Sequence, residues 1–204
     1  MGERRWLVIA RKGTNEDIYR MLGASSHTES ERQKEDYYAT YPLAVEKLLK
    51  NEEFNEHIWE CACGEGHISK VLRKHGYNVF STDIINRGYG DDTYDFLSGD
   101  VNKFYGDIIT NPPYKQAQEF IEEALNVIPY GNKVAMLLRL QFLEGKKRRE
   151  LYKYNPPKRI YVFSGRIPCA KNGDFGEANR SAVAYAWFVW EKGFQGEPVI
   201  RWID

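Results

Sequence analysis

The chain has 204 residues, enough for one domain with a sizeable buried core. Its 29 basic and 29 acidic residues cancel, so net charge neither recommends nor excludes a nucleic-acid partner, and charge distribution has to decide. No apolar run approaches the ~20 residues that cross a bilayer, no signal-peptide pattern opens the chain, and three cysteines make no disulfide framework, so a cytoplasmic protein without a membrane span is expected.

Residues 1–36 form a charged, irregular extension. Within it Trp6 to Ala10 reads as a short strand. Thr14-Asn15-Glu16-Asp17 reads as a helix start ahead of Ile18, Tyr19, Met21 and Leu22, with Gly23 as the stop. Ser25 to Asp36 reads as a polar linker or surface helix. A single domain is expected from 37 to 204. It begins with Tyr37-Tyr38-Ala39-Thr40-Tyr41, followed by a helix that has Pro42 at its first position. Leu43, Val45, Leu48 and Leu49 supply the apolar face of that helix. The plain reading is loop plus helix, but the lead-in also sets Tyr37, Tyr38 and Thr40 where polar groups can face a ligand.

His57 to Glu60 reads as a strand, Cys61-Ala62-Cys63-Gly64-Glu65-Gly66 as a glycine turn, and Ile68, Val71 and Leu72 mark a helix. Strand, glycine turn and helix together let a backbone approach a cofactor closely. The Cys-x-Cys has no second Cys or His pair at ligand spacing, so no metal is expected. His67 reads as a surface or capping residue. Asn78 to Thr82 is the next strand, ending at Asp83, about twenty residues after the glycine turn, where an acid binds a ribose diol in doubly wound folds. Leu97 to Val101 offers another acidic strand end at Asp100. For both acids a solvated turn residue is the plain alternative.

Asp107-Ile108-Ile109 reads as the end of a buried strand, and Thr110-Asn111-Pro112-Pro113-Tyr114 follows it. Two consecutive prolines stop ladder bonding and fix the backbone as it leaves the sheet. An Asn side chain and the Pro112 carbonyl are then held together, with an aromatic ring two residues on. That set suits the gripping of a planar amino group: two acceptors for two N–H bonds, and a ring to stack on. A strand followed by a Pro-rich turn is the alternative. Ala117, Phe120, Ile121, Ala124, Leu125 and Ile128 continue with a helical period up to Pro129. Val134 to Leu140 is a continuous apolar run, expected for a strand covered on both faces. Lys158 to Phe163, Ser181 to Trp190 and Pro198 to Trp202 read as further strands. The alternation of strands and helices predicts an α/β fold: a doubly wound, mostly parallel, Rossmann-like sheet with an antiparallel hairpin at its edge.

In this order the stretches resemble class I S-adenosylmethionine-dependent methyltransferases, and among them the DNA adenine-N6 methyltransferases of the small phage and prophage kind. The resemblance runs from about Tyr37 to Trp190 and departs from the family where Cys61 replaces a usual proline. It implies S-adenosylmethionine as cofactor. Tyr38, Thr40, Glu60, Ala62, Cys63, Gly64 and Gly66 would lie around its methionine part, Asp83 at the ribose, and Asp100 and Val101 at its adenine. Asn111, Pro112, Pro113 and Tyr114 would hold the target amine, with the base flipped out of the duplex. Phe163 would add a second aromatic wall.

DNA is the expected partner. From Arg139 to Lys171 ten basic residues face only two acidic ones, Glu144 and Glu150. Lys146, Lys147, Arg148, Arg149 and Arg166 are therefore candidates for phosphate contact, a solvated helix face being the alternative. The same Asn-Pro-Pro-Tyr serves glutamine amides in proteins and amino groups in RNA. A catalytically silent nucleotide- or partner-binding module is a further reading. No separate target-recognition domain fits in the chain, and an oligomer or a recognition subunit stays open as an alternative source of target choice, though nothing indicates it.

Overall fold

β-branched and aromatic runs bounded by Gly and Pro build a sheet of eight strands. The computed structural model describes residues 38–101, 103–167, 169–171 and 183–204, all within the unit Glu35–Asp204. The strand expected at Trp6–Ala10, the helix from Thr14 and the linker at Ser25–Asp36 lie outside the described residues, as does Tyr37. In chain order the elements are β1 (Tyr38–Thr40), α1 (Pro42–Leu49), β2 (His57–Glu60), α2 (His67–Lys74), β3 (Asn78–Asp83) and β4 (Asp92–Thr93). There follow β5 (Asp107–Thr110), α3 (Ala117–Val127), β6 (Lys133–Arg139), α4 (Arg149–Tyr154), β7 (Arg159–Phe163), β8 (Cys169–Lys171), β9 (Tyr185–Glu191) and β10 (Val199–Ile203). The large sheet has the order β10-β7-β9-β6-β5-β2-β3-β4, while β1 and β8 pair as a separate antiparallel ribbon.

Every pairing in the large sheet is parallel except those of β9, which runs antiparallel to both β6 and β7. The expected antiparallel hairpin is thus β7 with β9, toward one edge, and β10 is laid parallel outside it. The run at β6 shows why so continuous an apolar stretch belongs in the middle. Val134, Met136 and Leu138 face one apolar layer with α3, whereas Ala135 and Leu137 face a second layer with α1 and α2. Alternation is hidden because both faces are buried.

In α1 the buried stripe is Ala44, Val45 and Leu48, and Leu43 is 43% exposed. The expected face was therefore off by one residue at its start, since i, i+1, i+4 from Ala44 is the spacing that faces the sheet. Trp187 of β9 donates its indole N–H to the Ala44 carbonyl at 2.8 Å and so locks α1 to the sheet.

The strand expected at Leu97–Val101 is absent. Asp95 accepts the Leu97 N–H at 2.9 Å and its carbonyl accepts the Ser98 N–H at 3.1 Å, while Gly99 takes φ 82°. A side-chain acceptor and a left-handed glycine fold this stretch into turns before a ladder can form. Phe96 anchors the turns in the core, its ring 5.1 Å from Trp59 and 5.3 Å from Phe120. Asp100 consequently lies exposed in a turn, and the short β4 takes the place beside β3.

At the amino ends of the strands a buried carboxylate joins three elements. Glu52, 5% exposed, accepts Lys133 Nζ and Arg159 Nη2, both at 2.7 Å, the Arg159 Nε–H, and the Tyr161 hydroxyl at 2.8 Å. Burial alone would raise its pKa, but Arg159, Lys133 and Tyr161 together outweigh burial and hold it below the usual range. Neutralising the carboxylate leaves the half-buried Lys133 and Arg159 cations side by side without their counter-charge. Glu52→Gln is expected to cost about 3 kcal/mol of stability in urea unfolding. Because the folded carboxyl titrates low, this contribution is present above the ordinary glutamate range and is lost as pH falls through the folded value. The gap between wild type and variant should accordingly narrow in acid.

Candidate active site

Parallel β2, β3, β5 and β6 bring their carboxyl ends, Glu60, Asp83, Thr110 and Arg139, to one edge of the sheet. The crevice outside such an edge is where open α/β sheets bind ligands. Between β2 and α2 the chain turns through Gly64 at φ 54° and Gly66 at φ 76°. Cys63 N–H bonds to the Thr82 carbonyl at 2.9 Å and Gly66 N–H to the Cys63 carbonyl at 2.7 Å, which closes the turn against β3. At Gly66 an added Cβ would stand 2.1 Å from the Tyr89 ring, so no larger residue fits. That ring is fixed by Arg73, whose Nη1 donates to its hydroxyl at 2.8 Å, and by the Lys70 ammonium 4.9 Å from its centre. Nothing in the sequence reading pointed to Tyr89.

Asp83 is half-exposed at the end of β3. It accepts the Gly64 N–H at 2.8 Å and the Ile85 N–H at 2.9 Å. A carboxylate has about four lone-pair sites, so it can still accept two hydroxyls. Just beyond it Ile84 and Ile85 are 62% and 42% exposed. These two apolar side chains were missed; an acid at a strand end followed at once by isoleucines was the available signal.

Glu60 does not reach the crevice. It is 1% exposed and turned under α2, where it accepts the Ser69 N–H at 2.8 Å and bonds the Ser69 hydroxyl, which is 2.7 Å from Ser81 Oγ. Burial, only partly offset by Ser69, pushes its pKa up to about 8. Its place is beneath the glycine turn, not at a ligand's surface. Cys61 and Cys63 are buried thiols, and burial, then the Glu60 and Asp83 charges, pushes Cys63 up to about 12. Among the described residues no three His, Cys, Asp or Glu side chains gather as a metal site. Ala62 is half-buried against the core on the α3 side, and so is Val101 next to the exposed Asp100.

Asn111 leaves β5 with its amide Nδ2 donating to Thr40 Oγ1 at 3.1 Å, and Thr40 is buried. The end of β1 is thereby brought to the Asn-Pro-Pro-Tyr turn, while Tyr38 stands at the strand's start. Pro112 is buried and Pro113 half-buried; the Pro113 carbonyl accepts the Gln116 N–H at 3.0 Å, opening a 3₁₀ turn from Tyr114 to Gln116. Tyr114 stands beside Tyr185, with ring centres 5.9 Å apart, and under the Arg139 guanidinium at 4.8 Å. Arg139 and Tyr185 are direct partners across β6 and β9, so one cross-strand pair frames the ring. A stack of this kind contributes about 0.5–1 kcal/mol at a partly exposed site.

One expected substrate contact is corrected, and another is tied into its own loop. Phe163 is buried in the α1–α2 layer with Tyr161, Tyr185 and Ile203, because alternate residues of β7 point into that layer. Arg148 is drawn back into its own loop. Its Nε–H bonds to the Phe142 carbonyl at 2.8 Å, its Nη2 to the Glu144 carbonyl, and its guanidinium covers the Phe142 ring at 4.5 Å. Lys146, Lys147, Arg149 and Arg166 are exposed. Among the described residues no helix is long and apolar enough to cross a membrane.

No protein-family model matches the sequence, and no curated protein matches it. Solved structures do. A "putative RNA methyltransferase" from Pyrococcus horikoshii is similar at a TM-score of 0.57 and 13% identity, over 89% of this chain and 100% of that one. A "putative class I S-adenosylmethionine-dependent methyltransferase" from Listeria monocytogenes gives 0.53 and 11%, over 91% and 69%. The 23S rRNA methyltransferase ErmE gives 0.52 and 15%, over 76% and 70%. At these identities the likeness is one of fold alone: the sheet and its flanking helices are arranged as in these solved structures.

The buried acid under the glycine turn has a titration signature. A carboxyl raised from 4.5 to about 8 on folding stabilises the protein below its unfolded value, and the contribution is lost as pH rises through the folded value. Wild-type stability should therefore carry a component that falls between about pH 4.5 and 8. Glu60→Gln should lack that component when urea midpoints are compared across the range. Parallel profiles would mean that Glu60 does not titrate in this window.

Proposed function

We propose that the chain is an S-adenosylmethionine-dependent methyltransferase that modifies the N6 amine of adenine in DNA. The observation that carries this reading is the Asn111–Thr40 hydrogen bond, which orients the amide next to two prolines and an aromatic ring. With the amide nitrogen donating to Thr40, the group turned to an incoming amine is its carbonyl oxygen.

The residues at the edge fit the cofactor. The glycine turn presents backbone without side chains, Asp83 has acceptor capacity for a ribose diol, and Ile84 and Ile85 offer apolar surface to an adenine ring. When bound, the cofactor supplies an electrophilic sulfonium methyl group. The protein's own contribution is orientation. An adenine amine is a poor nucleophile because its lone pair is delocalised into the ring. Acceptance of both its N–H bonds by Asn111 and the Pro112 carbonyl favours a pyramidal nitrogen whose lone pair points outward. The nitrogen–methyl bond forms as the sulfonium–methyl bond breaks; preorganised acceptors lower that barrier, and the proton then shed by the cationic nitrogen passes to solvent. A base in duplex DNA must leave the stack to reach the site, and Tyr114 is the surface against which it would rest. Exposed Lys146, Lys147, Arg149 and Arg166 supply positive charge for the backbone.

Incubation with isotopically labelled cofactor and separate DNA, RNA and protein pools tests this directly, with digestion and mass spectrometry for N6-methyladenine. Label confined to RNA or to glutamine would move the substrate but keep the site. Asn111→Ala is expected to abolish transfer while cofactor affinity stays within about twofold. Asp83→Ala is expected to weaken cofactor binding by about 1.5–3 kcal/mol in calorimetry, the loss typical of a charge-assisted hydrogen bond. Transfer surviving in Asn111→Ala would overturn the mechanism.

A further inference from the structure

Beside Tyr114 lies a cavity of about 170 Å³, lined by Arg139, Arg148, Tyr114, Gln141, Phe142 and Leu138, with no carboxylate among its walls. It is smaller than the roughly 300 Å³ at which whole-ligand sites begin, so it suits one small group, not a nucleoside. Arg139 enters it from the carboxyl end of β6, next to the strand that carries Asn111. Its Nε–H is buried and has no hydrogen-bond partner among the described residues, and no ion pair there includes it. The neighbouring guanidinium is different, since Arg148 donates to the Phe142 and Glu144 carbonyls. A cation with an unsatisfied buried donor, facing a small cavity walled by a second cation, calls for an anion.

We propose that Arg139 holds the phosphate of the target nucleotide and so selects a phosphate-bearing substrate over a bare base or a protein amide. This rests on the reading of the Asn111 turn as the amine site. The stack on Tyr114 keeps the guanidinium in place until substrate arrives. A charge-assisted hydrogen bond to phosphate is stronger than that stack, so the phosphate draws Arg139 off the Tyr114 ring. One residue then responds both to the arriving backbone and to the ring beside which the base rests.

The test uses the full chain saturated with S-adenosylhomocysteine, so that the cofactor place is filled, and titrates it with deoxyadenosine and with deoxyadenosine 5′-monophosphate by NMR. Wild type is expected to bind the monophosphate at least about tenfold more tightly, the size of a charge-assisted contact. Arg139→Gln should erase the preference, and Arg139→Lys should restore part of it, which a purely structural role would not. Asn111→Ala should keep it. Equal affinity of wild type for the two ligands, or a preference that survives in Arg139→Gln, overturns the proposal. Failure of the homocysteine cofactor product to bind, or absence of methyl transfer despite an Arg139-dependent phosphate preference, would count against the methyltransferase reading instead.

Discussion

The common direction of β2, β3, β5 and β6 is the constraint on which the rest of the molecule depends. Parallel neighbours cannot be joined by a hairpin, so the chain returns through α2 between β2 and β3 and through α3 between β5 and β6. Each return buries one face of the sheet and delivers another strand's carboxyl end to the same edge. Glycine turn, Asp83, Asn111 and Arg139 become neighbours by that geometry alone, although they are spread over much of the sequence. At the opposite edge the Glu52 cluster and Asp107 keep the strands in step. Asp107 accepts the N–H groups of Asn55 and Lys133, each at 2.7 Å, tying β5 to β6 and to the segment before β2.

The two ends of the sheet use polar groups differently. At the amino end, buried charge is met by opposite charge and by backbone N–H groups, which fixes register. At the carboxyl end the polar groups are ordered without being neutralised. Thr40 orients Asn111, Gly64 and Ile85 orient Asp83, and Tyr114 positions Arg139. Side chains set in advance are what a reaction governed by orientation requires. Glu60, at the carboxyl end of β2, supports the glycine turn from below, buried with Ser69 and Ser81.

Local signals made much of this legible. The β6 run, the proline after Tyr41, the glycine turn before His67 and the strand ending at Asp83 each carry their meaning within a few residues. The exchange of propensity against turn chemistry at Leu97–Gly99 was harder, because Asp95 and Gly99 override apolar neighbours through a single acceptor and a positive φ. Contacts set by distant pairing were not legible. Arg139 meets Tyr185 only through the β6–β9 register, and both meet Tyr114 only because β5 lies on the other side of β6. Phe163 looked available for substrate for the same reason, its neighbour Ile203 being set by the β7–β10 register. Arg148 is a different case: its acceptors, the Phe142 and Glu144 carbonyls, lie within six residues, but backbone acceptors leave no mark in the sequence.

The central claim is that catalytic orientation depends on the Thr40 hydroxyl holding the Asn111 amide. The most direct measurement is the single-turnover rate of methyl transfer to adenine, at saturating cofactor and DNA, for Thr40→Val and Thr40→Ser. Loss of the hydroxyl lets the amide rotate, so the account predicts a fall of at least about tenfold for valine, equivalent to about 1.4 kcal/mol. Serine, which keeps the hydroxyl, should stay near wild type. A valine variant as fast as wild type would contradict the account.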